Sequence, residues 1–365
     1  MLQGVMPHRL SCGMRSLLRL FSAGALSNLP KKLPETRLQL KNGINRHDSD
    51  NVVPCYLNNG ITMAENPIYA AAGTASLAEK VAKIAQNDGD YPAAIPALTL
   101  HRRHEPTAPI HCIYQMGLGV VLQGAKEIVL AGKSTRYRAG ESLLSTLDLP
   151  VTSHVTDASE ENPFLGLMLT LDARTVMETA AMMPVATSVR ERGQYPLSVE
   201  PLDDGLIDAL TRLLSLVDEP EMIAPLAPLI LQEIIIRLLA SNQGPQLRQL
   251  ATAGSPGQSI SRVVSWLKQN FTDAVCIDDL AASACMSPST FRQHFRLSTG
   301  MSPLQYLKKL RLQEARQQML LSHLDANRAA LYVGYESASQ FSREYRREFG
   351  DSPRRDIRRL RVSAG

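Results

Sequence analysis

The sequence lacks the features of membrane proteins and of small disulfide-stapled proteins. Its 365 residues contain no uninterrupted apolar run of about 18 residues, the length that a membrane-spanning helix needs. The five cysteines are scattered and form no Cys-x-x-Cys pair, which argues against a zinc ribbon and against a disulfide framework. We therefore expect no association with a membrane, and we expect a reducing, cytoplasmic compartment.

Catalytic motifs are also missing from the sequence. There is no Gly-x-Ser-x-Gly elbow, no Walker phosphate loop and no His-Glu-x-x-His pair. Several histidines lie between residues 101 and 154, but they lack the close His-x-His pair with a following Glu that cupin-type metal sites use. The sequence therefore predicts that the protein is not an enzyme, and it predicts no catalytic residue, no cofactor and no bound metal.

Charge is distributed unevenly along the chain. Residues 86–254 carry 12 Lys/Arg and 20 Asp/Glu, whereas residues 255–365 carry 17 Lys/Arg and 10 Asp/Glu. An acidic middle joined to a basic end predicts two domains with different partners. A basic domain of about 110 residues has the charge pattern expected for a protein that binds nucleic acid.

The middle of the chain has the pattern of β structure. From about residue 94, short runs such as 126–130 and 134–137 are separated by Gly or Pro at turn-like spacing. Many short strands with regular breakers predict a small barrel or sandwich. Helical patterns follow, and among them 223–240 is apolar almost all round. We expect that helix to be covered by its own domain or by a second subunit.

These patterns predict an α+β chain with two domains after a leader. Residues 1–62 are interpreted as a leader that is disordered or lies upstream of the true start, because 34–60 is polar without a period. Residues 63–253 form a β-rich domain with C-terminal helices. Gly and Pro between 241 and 258 indicate a linker, and an all-helical domain occupies 258–361.

The helical domain contains two similar units. In the first, Ser287 and Pro288 are strong start signals for a polar helix over 288–297, which follows a short helix rich in small residues. In the second, Ser337 is the start signal for a polar helix over 337–349. A short helix, a tight turn and a polar second helix form a helix-turn-helix.

The two units form an internal duplication. Phe291 and Phe341 anchor the polar helices fifty residues apart, and each unit ends in Gly-x-Ser-Pro. A long helix over 303–321 joins the units. The tight turn of the first unit holds Cys285 where many such turns use Gly, a departure that we expect to strain the turn.

The duplicated motifs resemble the AraC/XylS family of bacterial transcription regulators. The matching phrases include Gly334-Tyr335-Glu336-Ser337, Gln340-Phe341-Ser342-Arg343, Phe349-Gly350 and Pro353. Upstream, Arg138 to Leu144 and Leu147 to Val151 are similar to the cupin-like sensor domain of one AraC-type subfamily. The resemblance implies a sequence-specific regulator that binds double-stranded DNA, with RNA polymerase as a further partner. Its polar helices are expected to enter successive major grooves about 34 Å apart.

The resemblance also implies two sets of DNA contacts. The base-edge candidates are Ser289, Arg292 and Gln293 in the first unit and Ala338, Ser339, Ser342 and Arg343 in the second. The phosphate candidates are Arg296, Arg346, Arg347, Arg354 and Arg355. Arginine is the strongest base reader because its fork pairs with guanine O6 and N7. Contacts with phosphate set affinity rather than sequence preference.

The acidic β-rich domain does not suit DNA, so we expect another partner there. We predict that it binds an unknown small-molecule effector and forms a homodimer. The pocket candidates are polar groups in or beside the β runs: His101, His111, Cys112, Tyr114 and His154. For Cys112, a buried inert thiol is favoured over a reactive one. Two alternatives stay open: a cupin-type metalloenzyme fused to a DNA-binding domain, and a middle domain that only dimerises.

Overall fold

The computed structural model describes residues 67–183, 195–252 and 254–363, so the predicted leader over 1–62 lies outside the described residues. The first described part is β-rich. Its strands are β1 (Gly89–Pro92), β2 (Leu98–Arg103), β3 (Ile110–Tyr114), β4 (Gly117–Gln123), β5 (Ala125–Leu130), β6 (Lys133–Arg138), β7 (Glu141–Ser145), β8 (Leu149–Asp157), β9 (Phe164–Thr170) and β10 (Leu197–Pro201).

The strands form two antiparallel sheets. One has the order β1-β2-β9-β4-β7-β10, and the other has the order β3-β8-β5-β6. Leu118, Leu143 and Ile128 are completely buried in the core, because inward-facing apolar residues recur along these strands. The sequence missed β1 and β10, which are short edge strands that end in proline. Proline is tolerated at a sheet edge because no partner strand needs its missing N–H.

The remaining elements are helical, which confirms the α+β class. The helices are α1 (Pro67–Ile84), α2 (Ala173–Met182), α3 (Asp204–Ser215), α4 (Pro220–Ala240), α5 (Gly244–Ala251), α6 (Pro256–Gln269), α7 (Ile277–Ser283), α8 (Pro288–Thr299), α9 (Pro303–Leu321), α10 (Ala326–Tyr332), α11 (Ala338–Phe349) and α12 (Pro353–Ser363). Asp172 and Asp203 cap α2 and α3 by accepting backbone N–H hydrogen bonds.

Helix α4 is covered by its own domain on one face only. Ile234 and Leu238 are buried, whereas Leu229 is 62% exposed and Ile236 is 40% exposed. The prediction that its own domain covers the whole of α4 is therefore wrong. The alternative, that a second subunit covers the exposed face, stays a prediction. By length and composition α4 also meets the criterion for a membrane span. One such helix is weak evidence for a membrane protein, because a core helix passes the same test.

The predicted linker contains a helix. Leu247 and Leu250 of α5 are buried, so the segment packs on the protein instead of extending away from it. Its Gly and Pro serve the start of the helix: Pro245 lies in the first turn, and a Cβ on Gly244 would approach the Leu239 carbonyl oxygen to 2.1 Å.

The helical domain has two separate hydrophobic cores. Phe291, Phe295 and Leu310 belong to one cluster with the core of the β domain. Phe341 and Tyr345 belong to a second cluster, which draws on α9, α10, α11 and α12. The first helix-turn-helix unit is thus continuous with the β domain, and the second has a core of its own.

Candidate nucleic-acid interface and effector cavity

In the first unit, α7 and α8 form a helix-turn-helix. The Ser287 hydroxyl accepts the N–H of Thr290 and caps α8, with Pro288 in the first turn. Phe291 and Phe295 are fully buried, with ring centroids 5.6 Å apart. These anchors turn the opposite face of α8 to solvent. Four sequence candidates are exposed on it: Ser289, Arg292, Gln293 and Arg296.

The second unit, α10 and α11, repeats this arrangement. The Ser337 hydroxyl accepts the N–H of Gln340 and caps α11. Phe341 and Tyr345 are fully buried, with ring centroids 5.5 Å apart. The six candidates of this helix are all exposed: Ala338, Ser339, Ser342, Arg343, Arg346 and Arg347.

The turns of the two units have matching hydrogen bonds. The Met286 N–H donates to the Ala281 carbonyl at 2.9 Å, and the Tyr335 N–H donates to the Ala330 carbonyl at 2.9 Å. Each turn passes through the left-handed region, with φ of 56° at Cys285 and 81° at Gly334. The backbone at Cys285 is therefore strained, because its Cβ atom disfavours a conformation that glycine adopts freely, as the sequence predicted.

Exposed positive charge is concentrated on the second unit. Its arginines lie along α11 and at the start of α12, where Arg354 and Arg355 are exposed. In the first unit, the Arg292 Nη2 atom lies 3.6 Å from the Asp278 Oδ1 atom, and both side chains are largely exposed. Such a pair is weak in water, so Arg292 remains available to a polyanion.

A buried ion network holds α12 against the second unit. The Arg316 guanidinium donates two hydrogen bonds, of 2.8 and 2.9 Å, to the Asp356 carboxylate, which also accepts one from the Tyr345 hydroxyl at 2.8 Å. Burial alone would raise the pKa of Asp356, but the bonds from Arg316 and Tyr345 outweigh it and lower that pKa. The network fixes the arginines of α12 relative to α11.

A cavity of about 280 Å³ lies between the two sheets of the β domain. Four of the five pocket candidates line it: His101, Cys112, Tyr114 and His154. The cavity also contains three charged residues that the sequence analysis missed: Asp90, Arg103 and Lys126. These three residues come together only when the strands pair, so the sequence alone did not reveal them. A charged residue that faces inward on a strand is nevertheless a signal of a functional site. Within the described ranges, no cluster of three or more His, Cys, Asp or Glu is arranged to hold a metal.

His111 faces away from this cavity. Its Nδ1 atom lies 3.6 Å from the Glu348 Oε1 atom, and its ring meets the Phe349 ring edge-on at 5.0 Å between centroids. Because successive residues of a strand point to opposite faces, His111 contacts α11 while Cys112 faces the cavity.

Three polar side chains of the cavity, Asp90, His101 and Arg103, are linked by hydrogen bonds. The Asp90 Oδ1 atom lies 2.8 Å from the His101 Nδ1 atom and 2.7 Å from the Arg103 Nη2 atom. The hydrogen bond from His101 and the nearby Arg103 hold the pKa of Asp90 well below its usual range. Burial lowers the pKa of His101 and raises the pKa of the Cys112 thiol. The thiol is thus kept protonated and poorly nucleophilic.

The architecture defines a class of protein: an antiparallel β domain followed by two helix-turn-helix units. The sequence profile of the family described as "AraC-type transcriptional regulator N-terminus" matches residues 94–246. The profile described as "Helix-turn-helix domain" matches residues 280–359. The chain belongs to the AraC family, with the N-terminal sensor domain of that family, which confirms the resemblance found in its motifs.

Similar proteins have been described in bacteria. HTH-type transcriptional activator RhaS of Pectobacterium carotovorum subsp. carotovorum (strain PC1) is 28% identical over 183 residues, which are 50% of this chain and 63% of that protein. RhaS of Klebsiella pneumoniae (strain 342) is 32% identical over 102 residues, 28% of this chain and 36% of that protein. The chain thus spans less than two thirds of the length of these relatives.

Solved structures with similarity to the chain include ToxT and a domain of AdpA. ToxT from Vibrio cholerae O395 is 12% identical, with a TM-score of 0.46 over 71% of this chain and 96% of that chain. The DNA-binding domain of AdpA, crystallised with a target DNA, is 30% identical, with a TM-score of 0.28 over 29% of this chain and 95% of that chain.

Proposed function

We propose that the protein is a sequence-specific, DNA-binding transcription regulator. The observation that carries this proposal is the pair of polar helices, α8 and α11, each capped by a serine and anchored by two buried aromatic rings, with its candidate residues exposed. Helices held this way present fixed side chains to a major groove. The relatives named transcriptional activators support the same function, and we propose RNA polymerase as the further partner.

The two sets of DNA contacts have different chemistry. Arg292 and Arg343 carry the forks that suit guanine, and Ser289, Gln293, Ser339 and Ser342 provide smaller polar contacts. Ala338 contributes at most an apolar contact with a thymine methyl group. The remaining arginines of the interface neutralise phosphates and thereby set the salt dependence: Arg296, Arg346, Arg347, Arg354 and Arg355.

DNA specificity is tested by competition with the full chain. A labelled duplex from the region upstream of its own gene is competed with random duplex of equal length at several salt concentrations. We expect the specific duplex to bind roughly 10³-fold tighter or more than random DNA. Equal affinity for both duplexes at every salt concentration would falsify the proposal. The full chain is the right sample, because the first unit shares its core with the β domain.

We further propose that the β domain binds a small-molecule effector and that the chain forms a homodimer. The polar cavity between the sheets supports the first part. The exposed Leu229 and Ile236 of α4 support the second, because a second copy would cover this apolar face. Two linked chains bind two adjacent sites more tightly than one chain through effective concentration.

Dimerisation is tested by light scattering on the full chain and on Leu229→Asp. We expect the mass of two chains for the wild type and a shift toward the monomer for the variant, because the charge would be buried at the interface. Glu221→Asp, at an exposed position on the same helix, is the matched control and should leave the mass unchanged. A wild type that stays monomeric at all concentrations would refute the dimer.

A further inference from the structure

We propose that the cavity between the sheets binds a small organic anion whose charged group pairs with Lys126. This inference rests on the proposed effector function and names the chemical class of the effector. Lys126 lies on β5, in register with Tyr137 of β6 and Val155 of β8, and its side chain lines the cavity.

The Lys126 ammonium has aromatic neighbours and no carboxylate partner. Its Nζ atom lies 5.5 Å from the centre of the Tyr114 ring and 6.0 Å from that of Phe164. Among the ion pairs of the described residues, none includes Lys126. A cation over ring faces is stabilised, but each of its N–H donors remains able to bind an anion.

The other charged groups of the cavity already have hydrogen-bond partners within the protein. The Asp90 carboxylate accepts from His101 and from Arg103. The Arg103 Nη1 atom donates to the carbonyl oxygens of Gly89 and Arg102, each at 2.6 Å. His101 has its pKa lowered by burial, so it adds no positive charge near pH 7. The charge left for a ligand is therefore the positive charge of Lys126.

The size and lining of the cavity restrict the rest of the ligand. A volume of about 280 Å³ is at the lower limit of sites for small organic molecules, so a compact ligand fits. Val155, Phe164 and Met168 provide apolar walls. An ion pair in such surroundings is stronger than one in water, and a carboxylate or phosphate gains charge-assisted hydrogen bonds there.

The proposal is tested with matched acids and amides in the absence of DNA. The full chain is mixed in turn with butyrate or butyramide, benzoate or benzamide, and nicotinate or nicotinamide, and the thermal midpoint and the dissociation constant are measured. We expect at least one acid to raise the midpoint and to bind at least about tenfold tighter than its amide. If no acid binds better than its amide, the proposal is wrong.

Variants at two lysines locate the anion. Lys126→Met should abolish the response to the acid, whereas Lys126→Arg should keep it, because the positive charge is retained. Lys133→Met is the matched control: Lys133 also lies over a tyrosine ring, 3.8 Å from the centre of Tyr195, but does not line the cavity. Circular dichroism checks that each variant folds. An unchanged response in folded Lys126→Met would overturn the assignment.

These measurements separate the ligand class from the function of the chain. If an acid binds through Lys126 but leaves the affinity for the upstream duplex unchanged, the effector part of the proposed function fails and the ligand class stands. If the upstream duplex is bound specifically but no acid binds, the ligand class fails and the DNA-binding function stands.

Discussion

The two helix-turn-helix units have the same backbone plan but are held in different ways. The fiftieth residue after Tyr306 is Asp356, and these two equivalent positions anchor the units differently. Tyr306 is an aromatic core residue whose hydroxyl donates to the Asp148 carbonyl of the β domain at 2.7 Å. Asp356 instead joins the ion network inside the second unit. A duplicated motif thus keeps its exposed polar helix, while the inner face of each unit adapts to different neighbours.

The first unit is fixed to the β domain around Asp148. Lys268 of α6 lies 2.5 Å from the Asp148 Oδ2 atom, and the Asp148 Oδ1 atom accepts the N–H of Met116 at 2.9 Å. The second unit has a lighter contact with the β domain, in which His111 of β3 meets Glu348 and Phe349. We therefore expect changes in the second unit to act locally and changes near Asp148 to affect both domains.

The largest expected effect comes from a variant that tests whether the core of the second unit unfolds independently of the first unit. Asp356→Ala leaves the Arg316 guanidinium, which is 11% exposed, without its carboxylate. Breaking a buried pair in this way costs about 3–5 kcal/mol, so the amides of α11 should exchange hydrogen much faster while those of α8 change little. Asp278→Ala, which removes an exposed partner, is the control and should cost at most about 1 kcal/mol. Equal acceleration in α8 and α11 would show that the two cores are one.

The second prediction concerns the left-handed turns. In Gly334→Ala, the new Cβ would lie 2.4 Å from the Thr272 carbonyl oxygen at a φ of 81°, so we expect a loss of about 1–3 kcal/mol. Cys285→Gly makes the opposite change at the equivalent turn and should stabilise the first unit by about 0.5–1 kcal/mol. Denaturant unfolding of the full chain measures both. The same sign for the two variants would contradict the equivalence of the turns.

The third prediction compares base reading with phosphate contact. Arg292→Ala or Arg343→Ala should weaken binding to the specific duplex by about 1–3 kcal/mol and relax the preference at one base pair. Arg354→Ala, at an exposed position of α12, should weaken binding to all sequences alike and reduce the salt slope by about one. Binding titrations on single-base variants of the site, at several salt concentrations, distinguish the two patterns. The reverse pattern would mean that the helix faces are wrongly assigned.

Much of the structure of the two helix-turn-helix units could be predicted from the sequence, because the signals that define it are local. Serine caps with Pro or polar first turns, paired aromatic anchors and glycine ends fix α8, α9 and α11 within a few residues of their expected bounds. Strain in the turn at Cys285 was expected because many such turns use Gly there, and its φ of 56° agrees with this. Each of these features depends on residues within about four positions of one another, which a sequence displays directly.

The features that escaped prediction depend on distant residues. The uncommitted charge of Lys126 is apparent only when β1 and β2 bring Asp90 beside His101 and Arg103. His111 was assigned to the cavity because it is a polar group beside a β run, but β3 orients its side chain toward α11. Asp148 connects residues more than a hundred positions apart, and no pattern in one sequence reveals such a contact.

The smallest expected effect concerns the single histidine contact between β3 and the second unit. Burial lowers the pKa of His111 in the folded chain, an effect that nearby Arg316 and Lys309 reinforce and Glu348 opposes. The unfolded chain therefore takes up a proton at a higher pH than the folded chain. As the pH falls below about 6.5, the unfolded state gains protons first and stability is lost until the folded pKa is passed. His111→Gln should lose less stability than the wild type between about pH 7 and pH 5, measured by denaturant unfolding, whereas the difference between the two chains should stay constant above about pH 7.5. If the variant lost stability with falling pH as steeply as the wild type, the contact at His111 would be open to water. Only the first unit would then be firmly joined to the β domain.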